Sequence, residues 1–160
     1  MNNERSGTNE LYSDDVFQVL FDYEVSRSKR YPTPLSLLFI KMYPTASQDS
    51  ALETAASFFA TELNTRIRAA DIPSATGNLF KILLPATNEA GARTVCDRLL
   101  SIFKNKFNTP DGNAISYSMN IGCVSHAGGE TLSKENLLEK AKSALQLSQQ
   151  KGVNTYTVLV

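Results

Sequence analysis

Three things are scarce in this chain of 160 residues, and each scarcity narrows what it can do. Net charge is the first. The 16 basic side chains balance 16 acidic ones, so no global field draws the protein to nucleic acid or to an anionic membrane. The second is a long apolar run. No stretch approaches the ~20 residues of a membrane-spanning helix, so no membrane insertion is expected, and the polar opening MNNERSGTNE lacks a signal-peptide core. Metal-binding and redox-type side chains are the third. Cys96 and Cys123 stand far apart, with no cysteine or histidine at zinc-like spacing. Cys96 falls on the apolar face of a predicted helix and Cys123 in a predicted strand, the pattern of reduced core thiols in a cytoplasmic protein. The single histidine, His126, follows a strand and suits loop anchoring better than acid–base chemistry. This set predicts no metal site and no cofactor.

What is present is an ordinary globular composition, 42% hydrophobic and 20% charged, in a length that buries roughly 70% of its unfolded surface as one domain. Residues 1–10 read as a disordered arm and 11–160 as the domain. After Ser13 and its acidic neighbours, Val16, Leu20 and Tyr23 fall on one helical face. Pro32 and Pro34 end that pattern, and LSLLFIKMY then forms a nearly continuous apolar run, suited to a central strand. Ser50-Ala-Leu-Glu53 is a capping-box pattern, with Leu52, Ala56, Phe59, Leu63 and Ile67 at helical spacing behind it. Two short strands flank Thr76-Gly77-Asn78, a turn-forming trio. Thr87 is placed to cap a third helix with Ala92, Val95, Leu99 and Ile102 inward. Pro110-Asp111-Gly112-Asn113 reads as a turn, and Ile115 to Ser125 alternates as a strand. Ser133 caps a fourth helix with Leu137, Ala141, Ala144 and Leu145 inward and Gly152 as its stop, and Tyr156 to Val160 closes as an edge strand. The order contains a βαββαβ core, which predicts an α+β, ferredoxin-like (palm-type) fold. Its central sheet is expected to be antiparallel, with helices Ser50–Arg68 and Thr87–Lys106 on one face.

The hairpin tip reads Thr76-Gly77-Asn78-Leu79-Phe80, inside RAADIPSATGNLFKILLP from Arg68 to Pro85. That segment resembles the signature of GGDEF domains, the diguanylate cyclase family, whose tip carries Gly-Gly-Asp/Glu-Glu-Phe. Six pieces in the family's order support the resemblance from about Leu11 to Val160, among them Phe80-Lys-Ile-Leu-Leu-Pro85, which matches the strand after the signature. Pro34-Leu-Ser-Leu-Leu-Phe-Ile-Lys-Met-Tyr43 resembles the first strand, and Asp49-Ser-Ala-Leu52 the Asp-x-x-Leu of the next helix. Arg68-Ala-Ala-Asp71 matches the Arg-x-x-Asp before the hairpin, and Met119-Asn-Ile-Gly-Cys-Val124 resembles the later Val-Ser-Ile-Gly-Val-Ala strand. Ala141-Lys-Ser-Ala-Leu145 followed by Gln150-Lys-Gly-Val-Asn154 resembles the family's ending.

The resemblance implies chemistry that this sequence does not supply. Joining two GTP molecules is phosphoryl transfer, and Mg²⁺ in such sites is held by carboxylate oxygens. The family's two metal-binding acidic positions correspond to Lys41 and Asn78, and neither Pro32–Gln48 nor Ile72–Asn88 contains a carboxylate. Asp49 keeps one guanine-reading carboxylate, but the loop before it is shorter than the family's and lacks the partner Asn. The late phosphate-contacting Lys and Arg correspond to Gln149 and Val153, and the family's helix Asp to Lys142. Catalytic residues are therefore expected to be absent.

One functional pair stays legible. In the family, Arg-x-x-Asp forms an inhibitory cyclic di-GMP site, which makes Arg68 and Asp71 the candidate ligand-binding residues. The same two residues at a helix end also suit a structural role, as a cation on the dipole and a loop-entry acceptor. The expectation is a degenerate, non-catalytic GGDEF-like domain acting as a regulatory or protein-interaction module in bacterial cyclic di-GMP signalling, with a protein partner or a homodimer. The alternative is a receptor for cyclic di-GMP or another nucleotide through Arg68 and Asp71. A residual diguanylate cyclase ranks third, because it needs metal ligands the sequence lacks.

Overall fold

A computed structural model describes residues 11–44, 49–102, 107–108, 114–115 and 117–160, without the side chains of 44, 49–55, 107–108 and 114–115. Helices α1 (Asp14–Arg30), α2 (Asp49–Arg66), α3 (Glu89–Ser101) and α4 (Lys134–Lys151) alternate with strands β1 (Leu35–Pro44), β2 (Ile72–Thr76), β3 (Leu79–Pro85), β4 (Phe107–Asn108), β5 (Ala114–Ile115), β6 (Tyr117–His126) and β7 (Thr155–Leu159). Five strands form one sheet in the order β2-β3-β1-β6-β7, and β4 pairs with β5 separately. The apolar run lies at the centre, as its lack of polar alternation predicts: both faces of β1 are covered.

The α+β prediction holds, with helices on both faces of the sheet. Leu38, Ile40 and Met42 of β1 join Phe59 and Leu63 of α2 and Ala92, Cys96 and Leu99 of α3 in one core. Leu35, Leu37 and Phe39, one residue out of phase on the same strand, join Phe17 and Phe21 of α1 and Leu137 and Ala141 of α4 in the other. Thus α2 and α3 share a face, as expected. Phe59 meets Phe80 edge-on at 4.7 Å between ring centroids, and Phe17 meets Phe21 likewise at 5.8 Å.

Several expectations need correction. The sheet is not wholly antiparallel. β7 runs parallel to β6, with Asn120 opposite Thr155, because α4 carries the chain back along the sheet before β7 begins. The buried face of α1 is Phe17, Phe21 and Val25; of Val16, Leu20 and Tyr23, Leu20 packs part-buried against the same core and Tyr23 is 65% exposed. Both sets have helical spacing, and burial selects the one with two phenylalanines. Asn88, not Thr87, caps α3, accepting from the Gly91 N–H at 2.9 Å. On the same helix Cys96 is buried and Val95 only half-buried. The strand predicted from Ile115 is divided, with Ala114–Ile115 in the small hairpin and Tyr117–His126 in the main sheet.

Other local readings agree. The Val16 N–H donates to Ser13 Oγ at 3.3 Å and the Asn136 N–H to Ser133 Oγ at 3.1 Å, so both serines are N-caps. Gly152 ends α4 with φ +112°, a conformation other residues rarely adopt. Gly122 lets α4 close on β6, since a Cβ there would collide with the Leu145 backbone. His126 anchors a loop: its Nδ1 accepts from the Gly128 N–H at 2.8 Å, and its Nε2 lies 3.2 Å from Thr131 Oγ1. The expected arm over residues 1–10, the turn Pro110 to Asn113, Lys106 and the side chains of Ser50, Leu52 and Glu53 lie outside the described residues.

Candidate functional site

Two places in this frame correspond to the candidate chemistry. The first is the end of β1, where the β2–β3 hairpin turns. Gly77 has φ +62°, the left-handed conformation a two-residue hairpin turn requires, and Asn78 follows it. The Met42 N–H donates to Asn78 O at 3.3 Å, tying the tip to β1. Lys41, next to Met42, pairs with Leu79 on one side and Asn120 on the other. Lys41 and Asn78 are therefore brought together, as the resemblance implies for the two metal-binding positions.

The donor set there does not fit Mg²⁺. At the two positions that the resemblance aligns with metal ligands the chain has a lysine and an asparagine, where Mg²⁺ favours carboxylate oxygens. A unit positive charge 4 Å from a cation costs about 4 kcal/mol per unit charge at an effective dielectric near 20. Among the described residues, no group of three or more His, Cys, Asp or Glu could hold a metal ion.

The neighbouring polar groups are committed to joining elements. Asn120 is buried, and its Nδ2 donates to Gly152 O at 2.7 Å, Ser148 Oγ at 3.0 Å and Thr155 Oγ1 at 3.1 Å. That carboxamide joins β6 to the end of α4 and the start of β7. Asn154, at φ +60°, closes the same corner by accepting the Met119 N–H at 3.1 Å through Oδ1. Gln149 Nε2 donates to Tyr43 Oη at 2.7 Å, so a neutral contact occupies one of the positions aligned with phosphate binding. Val153 and Lys142 are exposed, and the Asp49 side chain lies outside the described residues.

The second place is the segment after α2. The backbone N–H of Arg68 donates to Asp71 Oδ2 at 2.8 Å, and its Nη2 to Asp71 Oδ1 at 2.9 Å. The same Nη2 reaches Pro85 O at 2.8 Å and Thr87 Oγ1 at 2.7 Å, tying this loop to the end of β3 and the entry to α3. Asp71 is 1% exposed while the Arg68 side chain is 56% exposed. The carboxylate thus faces inward onto its own arginine, and the guanidinium lies at the surface.

Arg68 borders an open cleft of about 340 Å³ that Thr87, Asn88, Gly91 and Arg98 also line. Two guanidinium groups border it, and no carboxylate lines it. The cleft opens at the N-terminus of α3, whose dipole adds to the positive potential. An anion is the ligand this lining favours. Sequence reasoning missed Arg98. The available signal was helical phase, because Gly91, Thr94, Val95 and Arg98 recur at i, i+3, i+4 and i+7 and share one face.

The two cysteines are free and buried, in contact through α3 and β6. A hydrogen bond with Cys123, together with burial, pushes the Cys96 thiol well above its ordinary pKa. A thiol held neutral in this way is a poor nucleophile.

No protein-family model matches the sequence, and no curated protein does. Solved structures do match. The FimX GGDEF domain of Pseudomonas aeruginosa superposes with a TM-score of 0.82 at 16% identity, over 96% of this chain and 97% of that one. The GGDEF domain of DgcB from Caulobacter crescentus, solved in complex with c-di-GMP, gives 0.75 at 15% identity, over 99% and 96%. The diguanylate cyclase SiaD of Pseudomonas aeruginosa, solved with its activator SiaC, gives 0.75 at 18% identity; 97% of this chain matches 61% of that one. The chain has the fold of a GGDEF domain.

Proposed function

We propose that this GGDEF-like domain makes no cyclic di-GMP and acts in the bacterial cytoplasm as a regulatory interaction module of cyclic di-GMP signalling. One observation carries the reading: Lys41 and Asn78 meet at the end of β1, so an ammonium and an amide stand where the reaction needs metal-binding carboxylates. The cores on both faces of the sheet are intact, which suits a domain kept for its surface. SiaD, solved with an activator protein, supports a protein partner for a domain of this fold.

A second reading rests on the cleft. Arg68 and Arg98 border a space with no lining carboxylate, which favours a cyclic dinucleotide or another nucleotide. DgcB, solved in complex with c-di-GMP, supports that ligand class for the fold. Asp71 would serve there by holding Arg68 in place.

One set of measurements tests both readings. Purified protein incubated with GTP and Mg²⁺ or Mn²⁺ is expected to yield no cyclic di-GMP above a no-protein blank. Turnover that scales with protein concentration overturns the first reading. Isothermal titration with cyclic di-GMP and with GTP, with and without Mg²⁺, tests the second, and absence of heat in all arms removes it.

A further inference from the structure

The outer face of α1 carries a pattern that the core does not use. Asp15, Val19, Tyr23, Ser26 and Arg30 are all exposed and project opposite to the buried Phe17, Phe21 and Val25. Val19 and Tyr23 are 60% and 65% exposed, two large apolar side chains adjacent on one surface stripe. Charge is divided along the helix, with Asp14 and Asp15 in the first turn and Arg27, Lys29 and Arg30 in the last. Asp14 pairs with Lys81, Asp22 with Lys134 and Glu24 with Arg27. Asp15 and Arg30 form no ion pair among the described residues; Arg30 lies over the exposed Tyr31 ring at 5.5 Å.

This stripe complements itself under a two-fold rotation. Laid antiparallel on a second copy, with the axis beside Tyr23, α1 places Asp15 opposite Arg30 and Val19 opposite Ser26. Each relation is repeated by the symmetry. Tyr23 then packs against Tyr23 of the other copy. A parallel arrangement would instead set Asp15 against Asp15 and Arg30 against Arg30, and like charges repel. We infer that α1 is a self-association surface, joining two copies of this chain antiparallel through Val19 and Tyr23 with Asp15–Arg30 pairs at both ends. One helix face per copy falls below the roughly 1,200 Å² of a stable interface, so the dimer is weak and reversible. Its rim pairs make it sensitive to salt. The inference rests on the interaction-module reading and names the partner as a second copy of the chain.

Sedimentation velocity across a concentration series of the full 160-residue chain tests it. The expected result is a monomer–dimer equilibrium at ~50 mM salt that weakens severalfold at ~500 mM, as the Debye length shortens. Asp15→Arg and Arg30→Asp are each expected to weaken association roughly tenfold, and the two together to restore it, since the double swap re-forms the pairs with reversed signs. Under mild oxidation Tyr23→Cys is expected to give a disulfide-linked dimer, while Gln146→Cys, on exposed α4 surface, stays monomeric. Cys96 and Cys123 are buried and do not compete. Any of three outcomes overturns the inference: a monomer at every concentration, a dimer indifferent to both single swaps, or a double swap that fails to restore association. Assaying GTP turnover in the same preparation separates the two readings, because turnover counts against the interaction-module reading, whereas a monomer without turnover counts against this inference alone.

Discussion

Arg68 holds Asp71 twice, with its backbone N–H on one carboxylate oxygen and its guanidinium on the other. The pair closes the loop after α2, and the Arg68 contacts with Pro85 and Thr87 attach that loop to the entry of α3.

Replacing Arg68 by Ala is therefore expected to cost stability, by about 1.5–3 kcal/mol, because a buried carboxylate loses its charge-assisted partner. Arg68→Lys should recover only part of this, since one ammonium cannot reproduce the fork that spans Asp71 and Thr87. The check is a lower urea midpoint with an unchanged m-value. Arg98→Ala is the cleaner probe of the cleft. It should leave the unfolding free energy within about 0.5 kcal/mol of wild type, as exposed substitutions do, while lowering any affinity for cyclic di-GMP.

Leu63 lies fully buried in the core between α2 and the sheet. Truncation to Ala should cost about 2–5 kcal/mol, from lost transfer energy and the cavity left behind. Chemical denaturation checks it, and a neutral result would mean that α2 packs elsewhere.

Alkaline pH should destabilise the protein, and the sign follows from Cys96. Its pKa is raised in the folded state, so the unfolded chain loses the thiol proton first. The stability is fully present below the unfolded thiol value near pH 8.5 and falls as the pH rises above it. Burial also raises the Tyr117 hydroxyl, which adds a second loss above its unfolded value near pH 10. Urea midpoints between pH 7 and 10.5 should stay flat and then decline. A thiol reagent at pH 7.5 should label neither cysteine in the native protein and both in denaturant.

Most of the fold was legible because β1 announces itself. A run without polar alternation has to be covered on both faces, which sets the layer order around it. The caps Ser13 and Ser133, the Gly77-Asn78 turn and the inward face of α4 were local patterns with local causes. The misreadings depended on distant partners. Which of two equally periodic faces of α1 turns inward is settled by the sheet beneath it, and the direction of β7 by where α4 delivers the chain. At the candidate sites, Lys41 and Asn78 were recognisable as positions, and the structure places them side by side. The Asp71 carboxylate turns inward onto Arg68, its near neighbour in sequence, whereas Arg68 and Arg98 border one cleft only because α3 packs on the sheet.

The place of β1 at the centre also governs the order in which the molecule can be completed. Its two neighbours are β3 and β6, and Leu38 faces Cys123 across more than half the chain. Closing so long a loop is slow, because its entropy is lost before the contacts form. LSLLFI and β3 both precede β6 in the chain, so the apolar edge of β1 that faces β6 has no partner strand until β6 has been made. That interval is when the chain is most open to aggregation and to chaperones, and it ends when Tyr117–His126 closes onto β1.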